Sequence, residues 1–536
     1  MIDHILLNAR IHTLNPAQPT ATALAIWRGR IVAVGTDDAM RALAGPGTAI
    51  DDAEGRAVIP GLTDAHIHWE GVARSLHSVD LFEVPSKEEA LRRVADRARQ
   101  TPPGEWIEGR GWTQVVWSDA AFPTAADLDA VAPDHPVYLG AKSGHAAWVN
   151  SLALRRAGIS AQTPDPAGGA LVRDAHGVPT GLLLEDPAMT LVARHIPTPT
   201  PEQIADWMSE AQRQAWAAGL TGLHDYDNPS CLVALQILRE RGDLGLRVVK
   251  QINDPWIGHA HELGIRSGFG DEWLRIGGLK IFADGALGPR TAHMIAPYEG
   301  EPDNVGIVVT DKETMFELVS RASAAGLPST IHAIGDRAVH DVLDVYEAVR
   351  AQEAARGIPR AARRHRIEHV QIIHPDDAGR LDALGIIASM QPIHATSDYE
   401  MADRYWGARA RWSYNWRLQL EAGAVLAFGS DAPVEPFAPL LGIFAAVTRR
   451  RPDGSPGPDG WYPEGRLDVD TTLRAFTQGP AYAAGMERDL GTLAPGYLAD
   501  LVVLDRDLYT IPPDEILATR ILGTMVGGTW KHRLFG

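Results

Sequence analysis

Asp64-Ala65-His66-Ile67-His68 is the stretch on which both fold and chemistry turn. In a β-strand, residues i and i+2 share a face, so this spacing lets His66 and His68 grip one ion together. Four distant segments carry matching residue types: Leu279-Lys280-Ile281-Phe282-Ala283-Asp284-Gly285, Ile331-His332-Ala333-Ile334-Gly335-Asp336, Ile367-Glu368-His369 and Gly429-Ser430-Asp431. Each reads as the end of a strand. His259-Ala260-His261 has the same spacing but lies in a helix-like run from Trp256 to Leu263. There the rings would diverge by about 200°, at roughly 100° per residue, and the pair is expected at the surface.

Outward from these segments, strand and helix alternate. Strand candidates end near His68, Tyr226, Ile252, Asp284, Gly335, Val370, Pro392 and Asp431. Helical runs such as Glu202 to Ala218, Lys312 to Ala325 and Trp416 to Ala422 separate them. Several helices stop at a glycine suited to a left-handed cap: Gly219, Gly326, Gly385 and Gly423. With polar residues gathered at strand C-termini, the pattern predicts an α/β fold, a TIM (β/α)8 barrel rather than an open sheet.

The chain ends differ in style. Residues 1–56 read as short strands between Pro, Gly and Asn turns, as do Leu498 to Asp505 and Ile521 to Trp530. Segments 1–56 and 486–536 are expected to form one composite β-sandwich around a barrel domain spanning 57–485. Residues 70–200, rich in Trp, Pro and Gly, are too long for a loop after strand one and predict a folded, lid-like insertion.

Composition narrows the chemistry. One cysteine in 536 residues excludes a disulfide framework and a Cys-rich metal site, so any metal must be held by nitrogen and oxygen. The formal charge of −18 argues against nucleic acid or an anionic membrane as a partner. No apolar stretch approaches the roughly 20 residues of a membrane span, and the N-terminus has no signal-peptide pattern. A soluble cytoplasmic protein acting on a small molecule is expected, with a homodimer left open. No Gly-rich dinucleotide fingerprint or phosphate loop is present.

Lys280, facing a barrel interior, is expected to have a depressed pKa. A neutral amine can capture carbon dioxide as a carbamate whose two oxygens bridge two cations. The alternative is an ammonium paired with Asp284 on the same strand face.

Pro60-Gly61-Leu62-Thr63-Asp64-Ala65-His66-Ile67-His68, the run from Lys280 to Arg290, His332-Ala333-Ile334-Gly335-Asp336, Ile367-Glu368-His369 and Gly429-Ser430-Asp431-Ala432-Pro433 together resemble the amidohydrolase superfamily. Within it the chain resembles amidohydrolase family 3, in the YtcJ-like group that includes N-substituted formamide deformylase. The resemblance implies a hydrolase acting on carbon–nitrogen bonds other than peptide bonds. It also implies two divalent metal ions, most plausibly zinc, with a metal-bridging hydroxide as nucleophile. His66, His68 and Asp431 would hold the more buried metal and His332 and His369 the second, with Lys280 carboxylated as the bridge. Asp431 would be the catalytic proton shuttle.

Candidate substrate contacts are Ser143-Gly144-His145 and Trp112 in the insertion, Arg290 after strand four and His394 after strand seven. Glu368, facing away from His369, reads as structural; His224 and Asp225 have no assigned role. The 15 tryptophans favour either an aromatic substrate group or ordinary packing. Rival readings are a mononuclear deaminase-type amidohydrolase, in which Lys280 remains an amine, and a non-catalytic scaffold of the same fold.

Overall fold

A computed structural model describes residues 2–82, 84–114, 117–118, 121–142 and 145–535. The chain forms two compact units, Met1–Gly71 with Met208–Gly536, and Val72–Trp207.

The larger unit contains an eight-stranded parallel sheet in sequential order. Its strands are β1 (Leu62–Ile67), β2 (Leu220–Asp225), β3 (Arg247–Asn253), β4 (Leu274–Phe282), β5 (Ser329–Ala333), β6 (Arg366–His369), β7 (Ile387–Met390) and β8 (Leu426–Phe428). The expected helices between strands are present, among them Pro201–Ala217, Lys312–Ala325 and Trp416–Glu421. The glycines expected to end helices, Gly219, Gly326, Gly385 and Gly423, all have positive φ.

Closure of the barrel joins the two segments richest in polar residues. Asp431 N donates to His66 O at 2.7 Å and His68 N to Ala432 O at 2.8 Å. The buried Asp64 carboxylate accepts from Ser430 N at 3.0 Å and Ser430 Oγ at 2.5 Å. This approach requires a glycine, since a Cβ on Gly429 would lie 2.4 Å from His66 N. The first and eighth strands are thus drawn together at the end where ligand-type side chains project.

Two further sheets complete this unit. One has four strands and one six, and the six-stranded sheet mixes both chain ends: Leu501–Leu504 pairs with Ala57–Pro60, which pairs with Arg10–His12. Leu6, Leu24 and Ile31 of one sheet share a core with Val58, Leu501 and Met525 of the other. The expected N-terminal boundary at residue 56 falls short, because Ala57–Pro60 is a sandwich strand. Ile521 to Trp530 is not one strand either. It is a hairpin, Ile521–Val526 and Thr529–Arg533, turned by Gly527 and Gly528 with φ of 58° and 76°. His259 and His261 lie exposed on the short helix Ile257–Glu262.

The smaller unit is a six-stranded sheet with its own core, in which Trp112, Trp117 and Trp148 pack together at ring-centroid distances of 6.1–6.4 Å. The tryptophans of this segment are packing residues.

Arg247 of β3 makes a buried two-pronged ion pair with Asp500, Nε to Oδ2 at 2.5 Å and Nη2 to Oδ1 at 2.9 Å. Removing the guanidinium leaves a buried carboxylate uncompensated. Arg247→Ala is expected to lower unfolding stability by about 3–5 kcal/mol, read as a shifted urea midpoint. A midpoint within error of wild type would show that the pair does not tie the C-terminal sandwich strand to the barrel.

Candidate metal centre

His66 lies one residue before the end of β1 and His68 one residue past it, their rings 5.7 Å apart. Each has its Nδ1 engaged by a carboxylate: His66 donates to Glu368 Oε2 at 2.6 Å, and His68 to Asp227 Oδ1 at 3.1 Å. That leaves both Nε2 atoms facing Asp431 Oδ1, at 3.4 Å and 3.3 Å. Acceptor lone pairs converging on a carboxylate oxygen repel one another unless a proton or a cation stands between them.

His332 and His369 are oriented in the same manner. His332 Nε2 donates to the Gly285 carbonyl at 2.9 Å, and His369 Nδ1 to Gln391 Oε1 at 2.8 Å. Each of the four imidazoles therefore has one nitrogen anchored, and in His66 and His68 the other is turned to Asp431, the arrangement that orients a metal-ligating histidine. His369 lies between the others, its ring 4.8 Å from that of His66 and 4.6 Å from that of His332. Ligand atoms of His66, His369 and Asp431 all fall within 4.8 Å of one another. This compact nitrogen and oxygen donor set suits a divalent cation.

Two of these residues reach the site through unusual backbone. His369 has φ 77° and Asp431 φ 62°, left-handed values that cost about 1–3 kcal/mol each for residues with a side chain. In β6, Arg366 and Glu368 occupy the interior face. A regular strand would therefore send His369 outward, and its left-handed turn brings it back. Glu368 is consequently more than a structural residue. It is fully buried, binds His66, and accepts from the Tyr226 hydroxyl at 2.7 Å and from the Thr330 hydroxyl.

Electrostatics follow from burial. Desolvation lowers the pKa of His66 and His369 and takes His332 down to about 3, favouring the neutral, ligating form. Burial would also lower His68, but Asp227 and Asp431 override it and raise His68 to about 10. Burial brings Lys280 down to about 8, opposed by Glu368 and Asp431. Its Nζ lies 4.9 Å from the Tyr226 ring centroid and 4.4 Å from that of Phe282. The pairing with Asp284 does not occur, because that carboxylate accepts from Ile334 N, Gly335 N and His293 N at 2.8–3.0 Å.

These groups line a cavity of about 380 Å³. Its lining includes His66, His68, Lys280, His332, His369 and Asp431, and also His394, whose Nε2 lies 3.3 Å from Asp431 Oδ2. Other expected contacts are corrected. Arg290 lies outside the lining and pairs with Glu301 at 2.9 Å, bracing its own loop. Trp112 is spent in the core of the smaller unit, its indole N–H donating to Leu139 O at 2.8 Å. His145 is exposed on that unit and bonded to Glu185, and Ser143 and Gly144 lie outside the described residues. No tryptophan is among the described lining residues. Asp225 binds Lys250 at 2.8 Å, and His224 meets Arg366 at 3.0 Å, both away from the cavity.

Asp227 was missed from sequence, although its place just past a barrel strand, in His224-Asp225-Tyr226-Asp227, is where such groups collect. Gln391 and Glu435 carried no local signal.

Residues 49–530 match the amidohydrolase family. The chain is 33% identical to the Bacillus subtilis (strain 168) protein YtcJ over 97% of each chain. It is 31% identical to N-substituted formamide deformylase of Arthrobacter pascens, over 100% of this chain and 99% of that one. Among solved structures, an uncharacterised metal-dependent hydrolase from Pyrococcus furiosus superposes with a TM-score of 0.78 at 29% identity, covering 95% of this chain and 100% of the other.

Glu368→Gln keeps the shape but removes the anionic acceptor that orients His66. Metal affinity is expected to fall about 10–100-fold, measured by competition with a chromogenic chelator. Unchanged affinity would assign Glu368 to packing alone.

Proposed function

The chain belongs to the amidohydrolase family, and from that premise we propose that it hydrolyses the carbon–nitrogen bond of a small amide, with an N-substituted formamide as the first candidate. The convergence of anchored imidazoles on one oxygen of Asp431, at the wall of a cavity sized for a small molecule, carries this reading. Of two divalent cations, zinc by preference, His66, His68 and Asp431 would hold one and His332 and His369 the other, with Lys280 as its carbamate a further ligand. Bound there, such cations supply an activated water and a polarised carbonyl.

The protein's own groups handle the protons. Asp431 Oδ1 takes a proton from the attacking water while His394 holds Oδ2. The same proton passes to the departing nitrogen as the C–N bond breaks, giving a carboxylic acid and an amine. Burial makes the neutral Lys280 amine accessible near pH 8, the form that reacts with carbon dioxide.

A mononuclear reading draws on a specific observation. His66, His369 and Asp431 form one compact set, and both His68 and His332 stand outside it. In that case Lys280 stays an amine.

Turnover of N-substituted formamides, followed by release of amine and formate, tests the reaction class. Asp431→Asn is expected to lower kcat by about 10²–10⁴-fold with little change in thermal midpoint. Activity within a few-fold of wild type would remove Asp431 from the chemistry.

Lys280→Ala should lose both metal and turnover, with partial return of each on adding a short carboxylic acid that supplies two oxygens. Metal uptake by wild-type apoprotein should be slower in carbonate-free buffer. Equal uptake in both buffers, with full metal retained by the variant, would make Lys280 an ordinary buried amine.

A further inference from the structure

Three carboxylates face the cavity, offset in part by His68 and His394, whose pKa neighbouring acids raise to about 10 against the effect of burial. Asp398, Asp431 and Glu435 line it, and Lys280 is the only Lys or Arg among the described lining residues. His394 stands between two of these acids, its Nε2 3.3 Å from Asp431 Oδ2 and its Nδ1 3.8 Å from Glu435 Oε1. Glu435 therefore sits one imidazole away from Asp431. Beyond His394 it has no ion-pair partner among the described residues.

A neutral donor faces the same space. Gln371 is 5% exposed and lines the cavity. Its Oε1 accepts from the Tyr414 hydroxyl at 3.2 Å, and its Nε2 has no partner among the described residues. The same hydroxyl, whose single proton serves one acceptor at a time, also lies 2.7 Å from Asp398 Oδ2. An amide N–H₂ that faces the cavity without an acceptor among the described residues, beside carboxylates that share one imidazole, is a polar surface that a ligand can engage.

Direction follows from the proposed proton path. The departing nitrogen must lie beside Asp431 to receive its proton, so substituents on that nitrogen are the ones that extend past His394 toward Glu435. We infer that the substrate carries a cationic group, an ammonium or amidinium, on its amine side, one short spacer from the scissile bond. Glu435 and Asp398 receive that cation, and Gln371 Nε2 donates to a neutral acceptor on the same molecule. Substrates with a carboxylate in that position, such as N-acyl amino acids, are disfavoured by like charge. The inference rests on the hydrolase reading and names its substrate class.

The test uses three N-formylbenzylamines of similar shape, with para substituents aminomethyl, ethyl and carboxylate, on metal-loaded wild type, Glu435→Gln and Asp398→Asn. Rates are followed by amine release, and binding of the product amines by calorimetric titration, which reads affinity without turnover. Wild type is expected to favour the aminomethyl compound over the carboxylate by at least about tenfold in both kcat/KM and Kd. Glu435→Gln should bring that ratio close to unity, with metal content and thermal midpoint as controls on folding.

Equal treatment of all three compounds by wild type would overturn the inference, with no variant needed. So would a cation preference that survives both substitutions. Charge-selective binding of the amines without any turnover keeps the subsite and removes the hydrolase reading. Turnover of all three compounds without charge preference does the reverse.

Discussion

One carboxylate meets three imidazoles in this protein. Asp431 Oδ1 faces the Nε2 atoms of His66 and His68, and its Oδ2 faces His394. A carboxylate so buried is stable only beside positive charge, and the remaining nitrogen of each β1 histidine is already bound to another acid, Glu368 or Asp227. The backbone is shaped to maintain that meeting. Gly429 admits the close approach of β8 to β1, Asp64 fastens Ser430, and left-handed turns at His369 and Asp431 re-aim two side chains. Strain of this kind persists only where neighbouring structure over-determines it, and here the closed barrel does so.

The outer architecture anchors the barrel that holds this arrangement. Sandwich strand Ala57–Pro60 runs through Gly61 into β1, and a Cβ on Gly61 would collide with the Thr221 side chain of β2. The Arg247–Asp500 pair ties β3 to the C-terminal sandwich strand. No helix among the described residues is long and apolar enough to cross a membrane.

Much of this is legible in the sequence because barrel strands and helix caps leave periodic local marks. His66 and His68 stand two apart on a strand, Lys280 lies near the end of a long one, and Gly326 follows its helix with the expected left-handed φ. Less legible are features set by the partner rather than by spacing. Strand alternation correctly places Glu368 and His369 on opposite faces, but it cannot show that Glu368 takes the interior and that His369 returns through a left-handed turn. Arg290 sits in a loop after a barrel strand, yet Glu301 claims it. Trp112 has the composition of a binding residue and the environment of a core. Gln391, which orients His369, gives no sign in sequence because an amide lacks the pattern of a ligand.

The central claim is a metal centre assembled on Asp431, with Lys280 bridging two ions. Diffraction at the zinc absorption edge from crystals of zinc-supplemented protein in bicarbonate tests it most directly. Two anomalous peaks are expected, one among His66, His68 and Asp431 and one beside His332 and His369, with density extending from Lys280 Nζ to both. A single peak with a bare amine at Lys280 would contradict the binuclear account, and no peak at all would contradict the metal centre itself.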